Sequence, residues 1–496
     1  MKLLNAEQIR KWDEYTIHHE PIASVELMER AALKCTEWLI SKQYYDHIKI
    51  FCGKGNNGGD GLAIARQLID RNIYPTIYIL EFGHKGTDDF QVNLQRLHKL
   101  TKDIHFIQSE DSFPLLNNND VIVDCLFGSG LNRPLDGVTK QLVDHINSSQ
   151  ATIISIDVPS GMFLDRTSKH NTIIKATNTL TFQILKLCLL AADNSNFFGD
   201  VEVLDICLHP DFLQSAETDL HLTNLEDAAN IYQPRSAFAH KGNSGHALII
   251  GGAPGKSGAA IIATESCLRA GAGLTSVYML SEEYTSINTR LPEAMTLAGA
   301  EMVKQNLNRF SAIGVGPGLG TDDMAQHIIL LLFENYPGSL VLDADALNII
   351  STNPQLLEQL PPNCILTPHP KEFDRLFGDH TDEFERWNTA IEKSVSLNCV
   401  VVLKGHHTLV AAKGKGYFNT TGNAGLAKGG SGDALTGIIT ALLAQQYQPE
   451  DAAKLGVYLH GLAADVAIAD QSYETLLASD VSSNLAKAFK MLLNVS

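Results

Sequence analysis

Short apolar runs alternate with amphipathic stretches in two blocks of the chain. In the first block the apolar runs lie at 48–52, 76–80, 120–127, 152–158, 177–182 and 201–208, with helical periodicity at 62–68. The second block repeats this rhythm at 247–252, 311–316, 339–345, 364–370 and 399–405. Such alternation is typical of parallel sheets with helices on both faces. The pattern predicts two α/β domains, 1–215 and 225–496, with a polar linker between His209 and Ala239.

Composition and charge exclude several classes of partner. The 496 residues carry a net charge of −18 and are 44% hydrophobic, so sizeable cores are expected without a basic stripe for nucleic acid or anionic membrane. The longest apolar run, Leu180 to Ala192, is interrupted by Gln183 and Lys186, and residues 1–15 contain no signal-like apolar core. Eight cysteines without a CxxC pair indicate reduced thiols. We expect a cytoplasmic protein that binds neither nucleic acid nor membrane.

A glycine-rich run in the second block, GNAGLAKGGSGDALTGII (422–439), places Asp433 on the first turn of an apolar helix. Glycines allow backbone amides to close around an anion, and the helix N-terminus adds its dipole. A carboxylate among phosphates is suited to deprotonating an attacking hydroxyl. This pattern predicts phosphoryl transfer; the alternative is an ordinary glycine-rich turn before a core helix.

The loop after the first apolar run reads GKGNNGGDG and permits two interpretations. Gly53, Gly55 and Gly58 satisfy the dinucleotide fingerprint G-x-G-x-x-G, with Glu81 at the end of the next run, which favours a nicotinamide-dependent oxidoreductase. Against this, polar side chains stand where a pyrophosphate needs bare amides: Asn56, Asn57 and Asp60. Amide and carboxylate oxygens favour a hard cation or a polar ring instead.

Two further loops follow strands of the same block and carry similar side chains. DCLFGSGLNRP contains Asp124, and IDVPSG contains Asp157 and Ser160. In an open parallel sheet the ligand lies at the carboxyl ends of the strands, so the three loops are expected to converge. One such aspartate alone would suit a cap or a turn.

These motifs together resemble those of the bacterial bifunctional NAD(P)H-hydrate repair enzymes. The first block resembles their epimerase domain in GKGNNGGDG, DCLFGSGLNRP, IDVPSG and FQILK. The second resembles their ADP-dependent dehydratase domain in HKGNSGHALIIGG, GAAIIATESCLRAGAGL, GVGPGLG, LDADALN, LTPHPKEF, VVLKGHHT, GLAKGGSGDALTGII and LHGLAAD. The motifs span most of the chain in the family order. Lys371 departs from the family, which has glycine there.

The resemblance implies a Rossmann-like αβα sandwich for the first domain and roles for its loops. Asn57, Asp124 and Ser160 match the ligands of a potassium ion (K+). The walls of the site for the hydrated nicotinamide nucleotides NADHX and NADPHX match Asn56, Asn57, Gly58, Gly59, Asp60, Gly128, Ser129, Gly130, Leu131, Asn132, Arg133, Pro134 and Asp157.

For the second domain the resemblance implies a ribokinase-like fold, ADP as the phosphoryl donor, magnesium (Mg2+) and a homo-oligomer. Four positions match substrate contacts: Ala259, Gly318, His369 and Asp433. The adenine-nucleotide site matches Lys404, Gly405, His406, His407, Thr408, Gly429, Gly430, Ser431 and Gly432.

The substrate's chemistry is consistent with these assignments. Its hydroxyl lies on the ring carbon beside nitrogen, so epimerisation needs only acid–base help, for which Asp157 is the first candidate and Lys186 the second. Dehydration needs a better leaving group, which phosphorylation supplies. Asp433 would act as the base, the amides of 429–432 would stabilise the transferring group, and Lys404 would neutralise donor charge.

Several alternatives stay open at this point. Lys186 could extend to the surface, His369 could be a packed loop histidine, and Asp343 and Asp345 could cap a helix or order magnesium. The run GGAPGKS is rejected as a P-loop because Ile250 occupies the first glycine position. Three rival functions are a small-molecule kinase, a nicotinamide oxidoreductase, and a kinase fused to a non-catalytic binding module.

Overall fold

The computed structural model describes residues 1–81, 83, 85–281 and 283–495, and residue 302 by its backbone only. The chain divides into two compact units. The first unit comprises Lys2–Thr218, and the second comprises Met1 and Asp219–Ser496. Both are α/β, which confirms the predicted fold class. No described helix combines the length and the apolarity that a membrane span requires.

The first unit is a parallel sheet flanked by helices. Its strands are β1 (Ile48–Cys52), β2 (Thr76–Leu80), β3 (Ile104–Ile107), β4 (Val121–Cys125), β5 (Thr152–Ile156), β6 (Asn178–Phe182) and β7 (Asp200–Leu204). Its helices are α1 (Ala6–His19), α2 (Ser24–Ser41), α3 (Asn56–Ile69), α4 (Asp88–Leu97), α5 (Gly137–Ser148), α6 (Ser195–Phe198) and α7 (Pro210–Ser215). The order β3-β2-β1-β4-β5-β6-β7 is that of a Rossmann-like sheet.

Burial explains why apolar runs predicted every strand of this sheet except β3. Every residue of β4 is buried, and Ile50, Val123 and Ile154 on the three central strands have no exposed surface. Strands covered on both faces need continuous apolar sequence, so their signal is strong. The polar side chains are thereby displaced to the loops that follow the strands, where a ligand site forms.

The second unit contains a ten-stranded sheet. Its strands are β8 (Leu220–Thr223), β9 (His246–Gly251), β10 (Leu274–Met279), β11 (Met295–Leu297), β12 (Ala312–Val315), β13 (Ser339–Leu342), β14 (Ile365–Leu366), β15 (Val400–Leu403), β16 (Leu409–Ala412) and β17 (Lys415–Asn419). The strand order is β11-β10-β9-β12-β13-β14-β15-β16-β17-β8. The pairs β15/β16 and β16/β17 are antiparallel, and the other pairs are parallel.

Helices cover this sheet: α8 (Leu225–Ile231), α9 (Ser257–Arg269), α10 (Tyr284–Arg290), α11 (Ala300–Asn306), α12 (Asp323–Asn335), α13 (Asp345–Thr352), α14 (Gln355–Glu358), α15 (Pro370–Phe377), α16 (Glu383–Ser396), α17 (Ser431–Ala444), α18 (Pro449–Ala467) and α19 (Ala478–Leu493). All residues of α17 from Ala434 onward are buried. A Cβ at Gly437 would collide with the carbonyl of Ala263 on α9, so glycine is required where these helices cross. This packing fixes the position of the first turn of α17.

The expected linker between His209 and Ala239 is wrong as a description of that segment. Helices α7 and α8 lie within it, and β8 pairs in parallel with β17 at the sheet edge, from Leu220 opposite Gly416 to Thr223 opposite Asn419. The segment reads as polar because an edge strand and short surface helices bury only part of their side chains. The unit boundary lies between Thr218 and Asp219.

Candidate active sites

A cavity of about 1600 Å³ lies where β1, β4, β5 and β6 end in the first unit. Most of the residues predicted for this site line it: Asn56, Asn57, Asp60, Gly128, Ser129, Gly130, Leu131, Asn132, Arg133, Pro134, Asp157 and Lys186. Gly58 and Gly59 are buried within α3. The three loops therefore converge as their positions at the strand ends suggested.

The glycines of the fingerprint have a packing role in this loop. A Cβ at Gly53 would collide with the carbonyl of Leu126, and a Cβ at Gly58 with the carbonyl of Gly53. Glu81, which the fingerprint would assign to a ribose, forms an ion pair with Lys54. Close backbone packing therefore accounts for Gly53 and Gly58, whereas a Cβ on Gly55 would meet no atom within 4 Å.

Asp157 and Lys186 form a buried ion pair on the cavity wall. Lys186 Nζ lies 3.1 Å from Asp157 Oδ1 and donates to the carbonyl of Phe182 at 2.6 Å. The lysine is 1% exposed, so the alternative in which it extends to the surface is wrong. Burial raises the pKa of Asp157, but the charge of Lys186 and a hydrogen bond from Ser129 N at 2.9 Å outweigh it, and the net pKa is lowered.

The side-chain amide of Asn57 faces the same site without a partner. Asn57 is 9% exposed, and neither its Oδ1 nor its Nδ2 has a hydrogen-bond partner among the described residues. A Cβ placed on Gly128 would lie 3.3 Å from Asn57 Cγ and 3.0 Å from Asp157 Oδ2, so the two side chains meet across this glycine. A buried amide without partners is costly unless a ligand satisfies it.

Asp124 and Ser160 lie together, and neither lines the cavity. The Asp124 carboxylate accepts hydrogen bonds from Ser160 Oγ at 2.6 Å, Ser160 N at 2.9 Å, Ser155 Oγ at 2.8 Å and Leu126 N at 3.2 Å. Burial raises the pKa of Asp124, and these hydrogen bonds partly oppose the shift. Of the three predicted potassium ligands, Asn57 alone lines the cavity.

Asp13 also lines the cavity, although no sequence motif pointed to it. It lies on α1, where a single aspartate among polar helical positions carries no local signal of function. Burial, and then the charge of Asp157, raise the pKa of Asp13 to about 7. Burial likewise raises the pKa of Asp60 well above its ordinary value. The cavity thus brings the carboxyl groups of Asp13, Asp60 and Asp157 together with the buried ammonium group of Lys186.

In the second unit, Lys404 and Asp343 form the centre of the candidate site. Lys404 Nζ lies 2.8 Å from Asp343 Oδ1 and 3.8 Å from Glu372 Oε2, and Asp343 Oδ2 accepts a hydrogen bond from Thr436 Oγ1 at 2.8 Å. Asp343 is 1% exposed and caps no helix, so the capping interpretation is wrong for it. Burial alone would lower the pKa of Lys404. The negative charges of Asp343 and Glu372 outweigh this effect, so the net pKa of Lys404 is raised.

Asp433 lies on the first turn of α17, as the glycine run predicted. Gly430 precedes the helix with a φ of 93°, which favours glycine, and a Cβ on Gly432 would lie 3.3 Å from Lys404 Nζ. Burial raises the pKa of Asp433 to about 6, with Asp343 adding to the shift and Lys404 opposing it. A carboxyl group that titrates near neutral pH is suited to a general base.

The remaining predicted contacts lie in loops around this centre. A Cβ on Gly318 would lie 3.1 Å from the Cβ of Ala259, and Gly318 has a φ of 58°. His369 is the N-cap of α15, where its Nδ1 accepts from the backbone N–H groups of Lys371 at 3.1 Å and Glu372 at 3.2 Å. The Glu372 carboxylate joins His369 to Lys404, since its Oε1 lies 3.4 Å from His369 Nε2 and its Oε2 lies 3.8 Å from Lys404 Nζ. The structure therefore places His369 beside the lysine, and Ala259 beside Gly318.

The loop from Lys404 to Thr408 closes on itself. Thr408 Oγ1 donates to the carbonyl of Gly405 at 3.1 Å, and a ring nitrogen of His407 lies 3.2 Å from the carbonyl oxygen of Asn419. Burial is the larger cause, and the neighbouring His406 the smaller one, that lowers the pKa of His407 to about 4, so its ring is neutral at pH 7.

In the glycine run, Ser431 is contacted by the buried His460, whose Nε2 lies 3.0 Å from the Ser431 carbonyl oxygen. Sequence reasoning missed this anchor.

Known proteins resemble each unit and the whole chain. A family model described as YjeF-related protein N-terminus matches residues 24–188, and one described as NAD(P)H-hydrate dehydratase matches residues 247–487. A ribokinase-like superfamily protein of known structure from Enterococcus faecalis V583 is 28% identical, with a TM-score of 0.51, and covers 56% of this chain and 98% of its own. This likeness confirms the ribokinase-like fold expected for the second domain.

Curated relatives match over nearly the full length. Bifunctional NAD(P)H-hydrate repair enzymes from Coxiella burnetii and Escherichia coli K12 are each 34% identical over 97% of this chain, covering 98% and 93% of their own lengths. The enzyme of the same name from Moorella thermoacetica is 32% identical over 97% of this chain and 95% of its own. With both units matched in order and both sites assembled, the chain belongs to the family of bifunctional NAD(P)H-hydrate repair enzymes.

Proposed function

We propose that the chain repairs hydrated nicotinamide nucleotides. Its first unit interconverts the R and S epimers of NADHX and NADPHX, and its second unit dehydrates the S epimer with ADP as co-substrate, giving AMP and phosphate. The observation that supports this best is Asp433, a carboxyl group with a pKa of about 6 on the first turn of α17, beside Lys404. Together they supply a base and a cation where a phosphoryl group would be transferred.

Dehydration follows from groups in the second unit. Asp433 takes the proton of the substrate hydroxyl, whose oxygen then attacks the terminal phosphorus of ADP while the bond to AMP breaks. Lys404 and the amides of Gly429, Gly430, Ser431 and Gly432 offset the charge on the phosphoryl group. The ring carbon–oxygen bond of the new phosphate ester then breaks, phosphate leaves with the bonding electrons, the adjacent ring carbon loses a proton, and the ring double bond forms. Ala259, Gly318 and His369 would position the substrate.

Epimerisation needs a proton to be given to the oxygen that leaves the ring carbon and a proton to be taken from the water that returns to it. The ring nitrogen pushes the hydroxyl off as water after protonation, and water returns from the other face while a base accepts its proton. Asp157 is held ionised by Lys186, so it is suited to accept that proton. Lys186 itself donates to Asp157 and Phe182, which assigns it to positioning.

A potassium ion fits the first unit through its oxygen atoms. Asn57 Oδ1 is buried without a hydrogen bond, and Asp124 is a buried carboxylate without a cation within ion-pair distance among the described residues. Asn57, Asp124 and Ser160 would hold the ion, which when bound supplies positive charge for the nucleotide's phosphates. In the second unit, the role of magnesium would be to neutralise the phosphates of ADP.

The experiment follows products as well as absorbance. The protein is incubated with S-NADHX and ADP, and recovered NADH, AMP and phosphate are measured together. We expect the three in equal amounts, and no NADH beyond the spontaneous rate without ADP. A small-molecule kinase would yield a stable phosphorylated product and no NADH, and an oxidoreductase would consume NADH.

A cytoplasmic location and a homo-oligomeric state stay predictions from the sequence.

A further inference from the structure

The cavity of the first unit contains a carboxyl group to which neither the sequence motifs nor the mechanism above gives a role. Asp13 reaches the cavity from α1, whereas Asp157 follows β5 and Lys186 follows β6. No hydrogen bond or ion pair in the described part of the chain involves the Asp13 side chain, although its charge interacts with both members of the Asp157–Lys186 pair. A mostly buried carboxyl group without a partner is costly to maintain, so its position requires a physical reason.

Epimerisation supplies that reason, because inversion involves both faces of one ring carbon. Water leaves from one face and returns to the other, so a proton must be delivered on the first face and removed on the second. Asp157 serves one face only. Lys186 is a poor candidate for the other, since its ammonium group is 1% exposed and already donates to Asp157 and to the Phe182 carbonyl.

We propose that Asp13 is the second proton-transferring group of the epimerase site and serves the face of the ring opposite Asp157. In one direction, Asp13 gives its proton to the substrate hydroxyl, the carbon–oxygen bond breaks, and the ring nitrogen's lone pair forms a carbon–nitrogen double bond. Water then adds to the other face and loses a proton to Asp157, returning the electron pair to nitrogen. In the other direction the two carboxyl groups exchange roles, so no co-reactant is consumed.

The electrostatics of the cavity support a pair that holds one proton. The pKa of Asp157 is lowered and that of Asp13 is raised to about 7, so near neutral pH one group is ionised while the other still holds a proton. The charged and titratable groups that interact with Asp13 or line the cavity near it are Glu7, Arg10, Glu14, Asp60, Asp157 and Lys186. Burial, with the charges of Asp157 and Asp13 adding to it, raises the pKa of Asp60 well above its ordinary value.

Oxygen exchange tests this assignment, which rests on the proposed epimerase function. Purified R and S epimers are each incubated in ¹⁸O-labelled water with wild type, Asp13→Asn and Asp157→Asn, and label is measured in each epimer after chromatographic separation. We expect both variants to interconvert the epimers about 10² to 10⁴ times more slowly than wild type. Each should retain exchange without inversion for one epimer, and the retained epimer should differ between the two variants.

Controls separate this inference from the proposed function. Wild type that does not interconvert the epimers would refute the function itself. Interconversion by Asp13→Asn at the wild-type rate, or loss of exchange on the same epimer in both variants, would overturn the role of Asp13. Glu14→Gln, which alters an exposed neighbour on α1, should behave as wild type, and the exchange that each variant retains on one epimer reports that its first unit is folded.

The wild-type protein gives an independent measurement. Because the Asp13–Asp157 pair must hold one proton in either direction, conversion in both directions should fall together as the pH rises through about 7. A rate that stays flat well above that pH would contradict the proposal.

Discussion

The ammonium group of Lys404 lies 2.8 Å from Oδ1 of Asp343, a carboxylate held on its other side by Thr436 from α17. Lys404 follows β15, Asp343 follows β13, and Thr436 lies one turn after Asp433. The strand ends and the helix that carries the proposed base are thus joined through one buried carboxylate. Removing either partner leaves a buried charge unpaired, so we expect this pair to fix the geometry of the dehydratase site.

The first prediction concerns the base. Asp433→Asn should lower dehydration of S-NADHX by about 10² to 10⁴ because it removes the proton acceptor but keeps the shape of the side chain. The wild-type rate should rise with pH through about 6, since only the ionised carboxylate accepts a proton. Initial rates across pH test both points. Epimerisation should be unchanged, and an equal loss of both activities would indicate misfolding.

The second prediction concerns Asp343. Asp343→Asn removes a negative charge that helps to raise the pKa of Asp433. In a plot of dehydration rate against pH, the rise on the acid side (the acid limb) should therefore move to lower pH. The turnover number should fall by about 10²-fold because Lys404 loses its fixed position. Asp323→Asn, at an exposed position of α12, is the matched control. An unchanged acid limb in Asp343→Asn would contradict the coupling.

The third prediction is that epimerisation depends on potassium. Metal-stripped protein should interconvert the epimers more slowly with a bulky organic cation than with potassium, because the Asn57 amide then lacks a ligand. Asp124→Ala should weaken potassium and substrate binding together, with dehydration of the S epimer retained. Identical rates in both buffers would refute the ion site and leave Asp124 as the anchor of the loop that contains Ser160.

The fourth prediction concerns the division of the chain. A fragment of residues 219–496 should be more stable than one of residues 225–496, because only the longer one retains β8 and its pairing with β17. Several lost ladder hydrogen bonds correspond to about 1 to 3 kcal/mol of unfolding free energy. Thermal denaturation of both fragments measures the difference. Equal stability would show that β8 contributes nothing to the second unit.

The sequence predicted the elements whose signal is local. Strands β1 and β2 have the predicted bounds because a continuous apolar run between polar loops requires burial on both faces. Asp433 was predicted because its glycine run and helix are adjacent in sequence. Strand β8 was missed because LHLT at a sheet edge is only partly buried and resembles a loop.

The rest depends on contacts between distant residues. Asp343 lies 61 residues before Lys404, and nothing near either residue identifies the other as its partner. The sequence left open whether Lys186 is an acid–base group or a surface lysine, because its partner, Asp157, comes from another strand end. Asp13 was missed for the same reason, since only the folded chain brings α1 to the cavity. The family resemblance could not supply these pairings either, because it transfers single positions.

The most direct test of the central claim is the total recovery of NADH from a mixture of R- and S-NADHX with excess ADP. Wild type should convert both epimers to NADH, whereas Asp157→Asn should convert the S fraction at the wild-type rate and the R fraction about 10² to 10⁴ times more slowly than wild type. An Asp433→Asn variant should equilibrate the epimers without producing NADH. Recovery by the wild type that stops at the S fraction would contradict a chain that performs both steps.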